Sequence, residues 1–386
     1  MYISDLTLEN FRNYKKQKFC FSQGVNIVYG LNAQGKTNVA EAIFYICTGY
    51  SPRVTREKQV VLMGQEKAAV SAVAQTKTGR VSAEIEFYSA GGKKITLNGL
   101  TVKRVGELIG NINAVMFNPQ ELKLVQQSPE DRRRFLDISL SQINRRYFYA
   151  LLKYKQILLQ RNALLKNPDR DLIFSTLPVW DEQFAEVAAS IIFDRNGYIE
   201  ELKPLCERAH REVSGGKEKL EVEGESNFTG DKQKIEADFK AALFERTEKD
   251  VEAGFTTIGP HRDDLKIKLD GIDLRVYGSQ GQQRTAALAL KLAEVEIFKN
   301  HFGESPVLIL DDAMSELDTV RRTALLGFLN GVQTIITCTD SDGELLRFAD
   351  KVFYIQNGTA TVRDEKTAES KTADSVALDE TAEVKA

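Results

Sequence analysis

Val25-Asn26-Ile27-Val28-Tyr29-Gly30-Leu31-Asn32-Ala33-Gln34-Gly35-Lys36-Thr37 decides how this chain is read. Five residues of strand character run into a glycine. The next eight, Gly30 to Thr37, match the phosphate-cradling pattern GxxxxGK[ST], and helical spacing begins at Asn38 with Val39, Ala42, Ile43 and Ile46. Glycine-opened turns let successive backbone N–H groups face phosphate oxygens, and the following helix adds its positive N-terminal end. Gly30, Asn32, Gly35, Lys36, Thr37 and Asn38 are therefore the candidate nucleotide-binding residues, with Lys36 reaching the β- and γ-phosphates and Thr37 on Mg²⁺. Strand before and helix after are the context that separates this motif from a chance match.

A second half lies far downstream. Val307-Leu308-Ile309-Leu310 reads as a buried strand ending in Asp311-Asp312. Asp311 is placed to bind the same Mg²⁺, and Asp312 to orient or activate the attacking water. About 30 residues earlier, Ser279-Gln280-Gly281-Gln282-Gln283-Arg284 opens a helix rich in Ala and Leu, and Ser315-Glu316-Leu317-Asp318 follows the acids. In ABC ATPases a serine-and-glycine signature at this location presents its helix N-terminus to the γ-phosphate of ATP held by the other protomer. By that likeness Ser279, Gly281 and Gln282 are expected to take that role here. Asp312 stands where most members of the class carry glutamate. At the strand end where transporters carry a switch histidine, this chain has Thr337-Cys338-Thr339-Asp340, leaving Thr339 or Asp340 to sense the γ-phosphate. Gln120 is the candidate Q-loop residue and Arg12 a candidate phosphate contact.

The 275 positions between Lys36 and Asp311 hold a helical insertion. Ser128-Pro129-Glu130-Asp131 is a strong helix start, with proline at the first position and acids near the positive end. Apolar residues then recur at helical spacing from Phe135 to Leu165. A proline-containing break at residues 167–178 precedes a second run from Trp180 to about Val213, so an antiparallel pair is expected, each helix roughly 50 Å long at ~1.5 Å per residue. Strands are expected at Ile3–Leu8, Lys18–Phe21, Leu265–Leu269 and Thr334–Cys338, and hairpins across Gly91-Gly92 and Asn357-Gly358.

These motifs, with Asn10-Phe11-Arg12-Asn13-Tyr14, Arg132-Arg133-Arg134-Phe135-Leu136-Asp137, Gln160 to Leu165 and Gly259-Pro260-His261-Arg262-Asp263-Asp264, make the chain resemble the RecF family over essentially residues 1–362. The resemblance implies an α/β fold: an ABC-type P-loop ATPase head, Rad50- and SMC-like, with a short helical-hairpin arm. The corresponding division is 1–125 for the N-terminal part of the head, 126–250 for the arm, 251–362 for the C-terminal part, and 363–386 for a disordered acidic tail. It also implies an ATP-dependent homodimer on duplex DNA next to single-strand gaps, a RecR-type mediator as partner, ATP and Mg²⁺ as cofactors, and slow, DNA-stimulated hydrolysis. Recombination, repair and replication of DNA would be its setting. An ABC transporter subunit shares the ATP motifs but should lack the helical insertion and keep the switch histidine. Other ABC-type chromosome proteins would carry longer coiled-coil arms.

Composition sets outer bounds. The net charge of −3 equals that of the tail from Arg363, where seven acids face four bases, so the remainder is balanced and DNA contact needs a local patch. Arg132 to Arg134 and Arg145-Arg146 offer one, although such runs are more often solvated or acid-paired helix faces. Four scattered cysteines and three scattered histidines favour free thiols and no zinc site. No apolar run approaches a membrane span, and Met1 to Asn10 lacks the layout of a secretory signal, so a cytoplasmic protein without membrane contact is expected.

Overall fold

The computed structural model describes residues 1–54, 56–119, 124–216, 218–339 and 343–363. Two sheets sandwich one helix. The first is antiparallel, in the order β2-β1-β4-β5-β6-β7, from β1 (Tyr2–Phe11), β2 (Tyr14–Cys20), β4 (Lys67–Thr76), β5 (Gly79–Tyr88), β6 (Lys93–Leu97) and β7 (Leu100–Val102). The second runs β15-β14-β3-β13-β12-β8 and is parallel except for β15. It combines β3 (Val25–Tyr29) and β8 (Ala114–Phe117) with β12 (Val307–Asp311), β13 (Thr334–Cys338), β14 (Lys351–Gln356) and β15 (Thr359–Arg363). Strands from both sides of the insertion thus close one sheet.

Parallel strands covered on both faces are continuously apolar, which is why Val-Asn-Ile-Val-Tyr and Val-Leu-Ile-Leu show no alternation in burial. Val28, Ile309 and Ile335 pack with the helix between the sheets, α1 (Lys36–Thr48). Ile27, Leu308, Leu310 and Ile336 face the opposite core. Short α2 (Val105–Leu108) closes the α1 side. The hairpins at Gly91-Gly92 and Asn357-Gly358 form where the sequence marks them, the latter with both turn residues at positive φ as a tight antiparallel turn requires.

The helical insertion differs from the expectation in two ways. Periodicity runs unbroken from Phe135 to Leu165, yet α3 (Pro129–Ile143) ends and α4 (Arg145–Leu164) begins at Asn144, whose backbone is extended. Its side chain accepts from the Arg146 N–H, a local bond that competes with helix continuation. In the second place, the break before the next helix spans only a few residues. Asp169 caps α5 (Arg170–Ser214) by accepting from the Leu172 N–H, and Pro178 and Pro204 sit inside the helix. An interior proline costs about 3 kcal/mol. Burial of Ile173 and Leu177 against Leu165 opposes that cost. The 20 residues of α4 and 45 of α5 therefore replace two helices of equal length.

α5 is not a free arm. It packs along α9 (Gln280–Phe302), α6 (Lys232–Glu245) and β9 (Leu220–Glu225). β9 joins β10 (Asp264–Leu269) and β11 (Ile272–Asp273) in a small antiparallel sheet, so a boundary drawn at residue 250 cuts between paired strands. Short α7 (Thr247–Ala253) and α8 (Leu274–Tyr277) complete this lobe, and α10 (Thr319–Phe328) follows β12. No described helix is long and apolar enough to cross a membrane.

Candidate nucleotide-binding site

The loop between β3 and α1 is braced from behind. Gly30, Ala33 and Gly35 have positive φ. A Cβ on Gly30 would stand 2.3 Å from the Ile355 carbonyl oxygen, and one on Gly35 would meet the Asn13 amide and Tyr14 hydroxyl within 3 Å. Neither site admits a side chain. Asn13 donates to the Gln34 carbonyl (2.7 Å) and accepts from the Asn38 amide (2.8 Å), while the Tyr14 hydroxyl donates to the Gly35 carbonyl (3.0 Å). From the C-terminal hairpin, Asn357 and Gly358 N–H groups donate to the side chain and carbonyl of Gln34. α1 carries no capping side chain at Gly35 and no acid in its first turn, which leaves its positive end for an anion. Lys36 lies across the loop, its Nζ donating to the carbonyls of Gly30 (2.6 Å) and Leu31 (2.9 Å). Asn32 is exposed on the same loop.

β12 and β13 deliver the acids. Thr337 Oγ1 donates to Asp311 Oδ1 (2.7 Å) and accepts from the Asp312 N–H (3.0 Å), so one hydroxyl fixes both. Burial raises the pKa of Asp311, while hydrogen bonds from Thr337 and Thr37 and the charge of Arg53 oppose the rise. The Thr37 hydroxyl and the Asp311 carboxylate thus lie together: two hard oxygen donors beside the loop, the type of pair magnesium takes. Asp312 is half-buried and has φ 54°, left-handed for a residue that pays roughly 1–3 kcal/mol for it. This backbone bend turns the second acid away from the strand direction of the first.

Arg12 lies close by but is occupied. Its guanidinium grips Glu41 through two bonds (2.6 and 2.9 Å) and donates to the Gln59 carbonyl. Glu41 is fully buried in α1 and also accepts from Ser51 and, at 3.3 Å, from Arg53. Arg53 reaches Asn38 Oδ1 (2.9 Å) as well, which puts a largely exposed cation at the mouth of the loop. Sequence reading missed Glu41 and Arg53; the signal was an acid on the apolar face of α1. Gln120 and Asp340 lie outside the described residues, and Thr339 is half-buried just past β13.

The signature segment is built on the other lobe. Ser279 caps α9 in a reciprocal pair: its Oγ accepts from the Gln282 N–H, and Gln282 Oε1 accepts from the Ser279 N–H. Gln282 also donates to Glu218, while Ser279 and Gln280 are exposed. None of the bonds recorded for Ser279, Gly281 or Gln282 reaches residues 30–37 among the described residues. A third missed residue, Arg321, ties this helix to the segment after the acids. It pairs with Asp318, donates to Thr285 Oγ1 (2.6 Å) and to the Gly281 carbonyl (3.2 Å).

Two motifs outside the loop serve the frame. Arg132 is buried in a two-bond ion pair with Asp264 (2.6 and 2.7 Å), the acid-paired alternative at this one position of the basic run. His261 shares a hydrogen with the Tyr154 hydroxyl (2.5 Å), and burial presses its pKa down to about 4.

Residues 2–363 match the model of the RecF/RecN/SMC N terminal domain family. The DNA replication and repair protein RecF of Clostridium acetobutylicum is 40% identical over 361 residues, covering 93% of this chain and 99% of that protein. A solved structure described as the recombination mediator protein RecF-ATP in the RecFOR pathway superposes with a TM-score of 0.85 at 37% identity, over 94% of this chain and 98% of that one. An Smc head bound to the C-winged helix domain of ScpA superposes with a TM-score of 0.58 at 17% identity, over 96% and 100% of the two chains; that likeness is one of fold.

Proposed function

This chain belongs to the RecF branch of the RecF/RecN/SMC family of ABC-type ATPases, and from that premise we propose an ATP-gated clamp on duplex DNA next to single-strand gaps. ATP lies between the loop of one protomer and the signature helix of its partner, closing a head-to-tail dimer with two-fold symmetry. The head comprises residues 1–125 and 251–362, and residues 126–250 form the arm, which stays joined to the C-terminal part of the head where β9 pairs with β10 across that boundary. Lys36 leaves the carbonyls of Gly30 and Leu31 for the phosphates, and Asn32, Gly35 and Asn38 line the same cradle. Thr37 and Asp311 would hold Mg²⁺, which would supply neutralisation of the phosphate charge. Asp312 takes the proton of the attacking water. Ser279, Gly281 and Gln282 of the partner face the γ-phosphate, Thr339 or Asp340 senses it, and Gln120 couples the nucleotide to the arm. Arg12 joins the phosphates only if its pair with Glu41 opens, so Arg53 is the readier cation.

One observation carries this reading most directly. Thr37 and Thr337 converge on Asp311 beside a glycine loop already covered by its lysine, while among the described residues no bond from the exposed cap of α9 reaches that loop. Neither half suffices alone, so ATP shifts a monomer–dimer equilibrium by differential affinity. The family's setting supplies the remainder: slow, DNA-stimulated hydrolysis that resets the clamp, and a RecR-type mediator that helps load the strand-exchange recombinase. The transporter alternative is disfavoured by the 45-residue helix of the insertion and by threonine where a switch histidine would stand.

The test is fluorescence anisotropy of a labelled gapped duplex titrated with protein alone, with ATP and with ADP at fixed salt. Binding tightens with ATP and relaxes with ADP, and the gain disappears in Lys36→Arg and Ser279→Arg. DNA affinity indifferent to ATP in a protein that still dimerises would instead assign the nucleotide to gating of a protein partner. A smaller effect is expected at Thr337→Val, which removes the bond to Asp311 and one of two acceptors of the Asp312 N–H. Isothermal titration should show Mg·ATP affinity about tenfold lower, equivalent to a hydrogen bond to a charged group.

A further inference from the structure

A cavity of about 550 Å³ lies between the C-terminal end of α1, α2, α3 and α4, well apart from the glycine loop in sequence and lining. That volume is typical of ligand pockets. Its walls are apolar: Ile138, Phe148, Leu151 and Leu158 contribute, and Leu152, 49% exposed, lines it as well. Leu159, 72% exposed, follows one heptad after Leu152 on α4, so an apolar strip continues outward along the helix.

Charge is unbalanced around these walls. Four cations, Arg133, Arg134, Lys155 and Arg195, face two carboxylates, Glu130 and Asp137. Asp137 is committed to Arg195 (2.8 Å) and to the Tyr147 hydroxyl. Among the described residues no carboxylate lies within ion-pair distance of Arg133, Arg134 or Lys155, in contrast to neighbouring Arg132 and Arg195. Arg133 donates to the Asp263 carbonyl (2.7 Å), and Arg134 stacks over the Tyr50 ring at 5.2 Å. Burial first, and then the charge of Arg195, lower the pKa of Arg133, against the opposing charges of Asp264, Glu130 and Asp263, none of which pairs with it directly.

We propose that this cavity is a docking site for an acidic segment of a partner protein, which seats one bulky apolar side chain against Ile138, Phe148 and Leu151 and places carboxylates on Arg133, Arg134 and Lys155. A nucleic-acid strand fits less well: its evenly spaced phosphates would meet Glu130 and Asp137. The apolar strip along α4 calls for an occupant longer than a single side chain. Because Thr48, the last residue of α1, lines the cavity, the occupant bears on the helix whose first residue is Lys36.

The full chain is titrated into a fluorescein-labelled peptide of aspartates and glutamates with one central tryptophan, and binding is followed by anisotropy. Serine in place of tryptophan, amides in place of carboxylates, and a short labelled duplex DNA form the other arms. Wild-type protein binds the acidic tryptophan peptide, and either peptide change weakens it about tenfold or more. Arg134→Glu and Lys155→Glu, both at exposed positions, do the same, while binding of a fluorescent ATP analogue is kept and reports that the variants are folded. No binding of the tryptophan peptide overturns the proposal. So does binding indifferent to the tryptophan, which would be charge attraction alone, or loss of duplex binding but not peptide binding in the two variants, which would assign the cations to DNA.

Discussion

Asp312→Asn is expected to leave ATP binding and ATP-dependent dimerisation near wild type and to lower turnover by about 10²–10³-fold. The general-base contribution of a positioned carboxylate sets that range. The substitution is close to isosteric, and the Asp312 N–H keeps both acceptors on Thr337, so the left-handed bend at φ 54° persists. Asparagine tolerates that region nearly as well as aspartate. What is lost is the proton acceptor. Phosphate release under single-turnover conditions, beside binding of a fluorescent ATP analogue, separates the two steps. Equal turnover in the two proteins would remove Asp312 from the base role. A parallel loss of ATP affinity would place the acid on the nucleotide or its metal instead.

Arg161→Ala carries the largest expected effect on stability, about 3–5 kcal/mol. Arg161 is fully buried where α4, α5 and α7 meet. Its Nε donates to Asp181 (2.7 Å), and one terminal nitrogen donates to Asp250 (2.7 Å) and Thr256 (2.8 Å). Removing the guanidinium leaves the buried Asp250 carboxylate with only the two bonds from Thr257 and no counter-charge, beside Asp181, whose pKa burial already raises. Breaking one side of such a cluster is worse than deleting it whole. Combining Arg161→Met with Asp181→Leu and Asp250→Asn should therefore recover much of the loss. Urea titration followed by far-UV dichroism measures both. A single substitution within about 1 kcal/mol of wild type would show that the cluster does not hold the helices together.

How much could be read from sequence depended on the range of each interaction. The glycine loop, the buried strand ending in Asp311 and the cap at Ser279 are local patterns, and each element lies within a residue or two of where its pattern ends. The helix boundaries at Asn144 and Asp169 failed for a different reason. Side-chain bonds to nearby N–H groups decided them, against an apolar periodicity that ran straight through Asn144 and a proline that suggested too long a gap. Arg53, Glu41 and Arg321 were passed over because their meaning is a meeting in space. Arg321 bonds to a carbonyl 40 positions earlier, and nothing in its own neighbourhood points there. Arg161 meets Asp250 across 89 positions in the same way.

The strand that feeds the glycine loop has neighbours only from the far end of the chain: β13 on one side and β14 on the other. On a ribosome adding roughly 5–20 residues per second, the roughly 300 residues between them take about 15–60 s to appear. Through that interval Val25 to Tyr29, apolar and with both edges unsatisfied, has the antiparallel layer and α1 for company but no strand to pair with. A growing chain therefore carries this apolar strand unpaired until β13 and β14 arrive to flank it. Such a topology closes slowly. It also means that a chain cut short before β13 leaves the loop on an open edge, with no finished sheet beneath it.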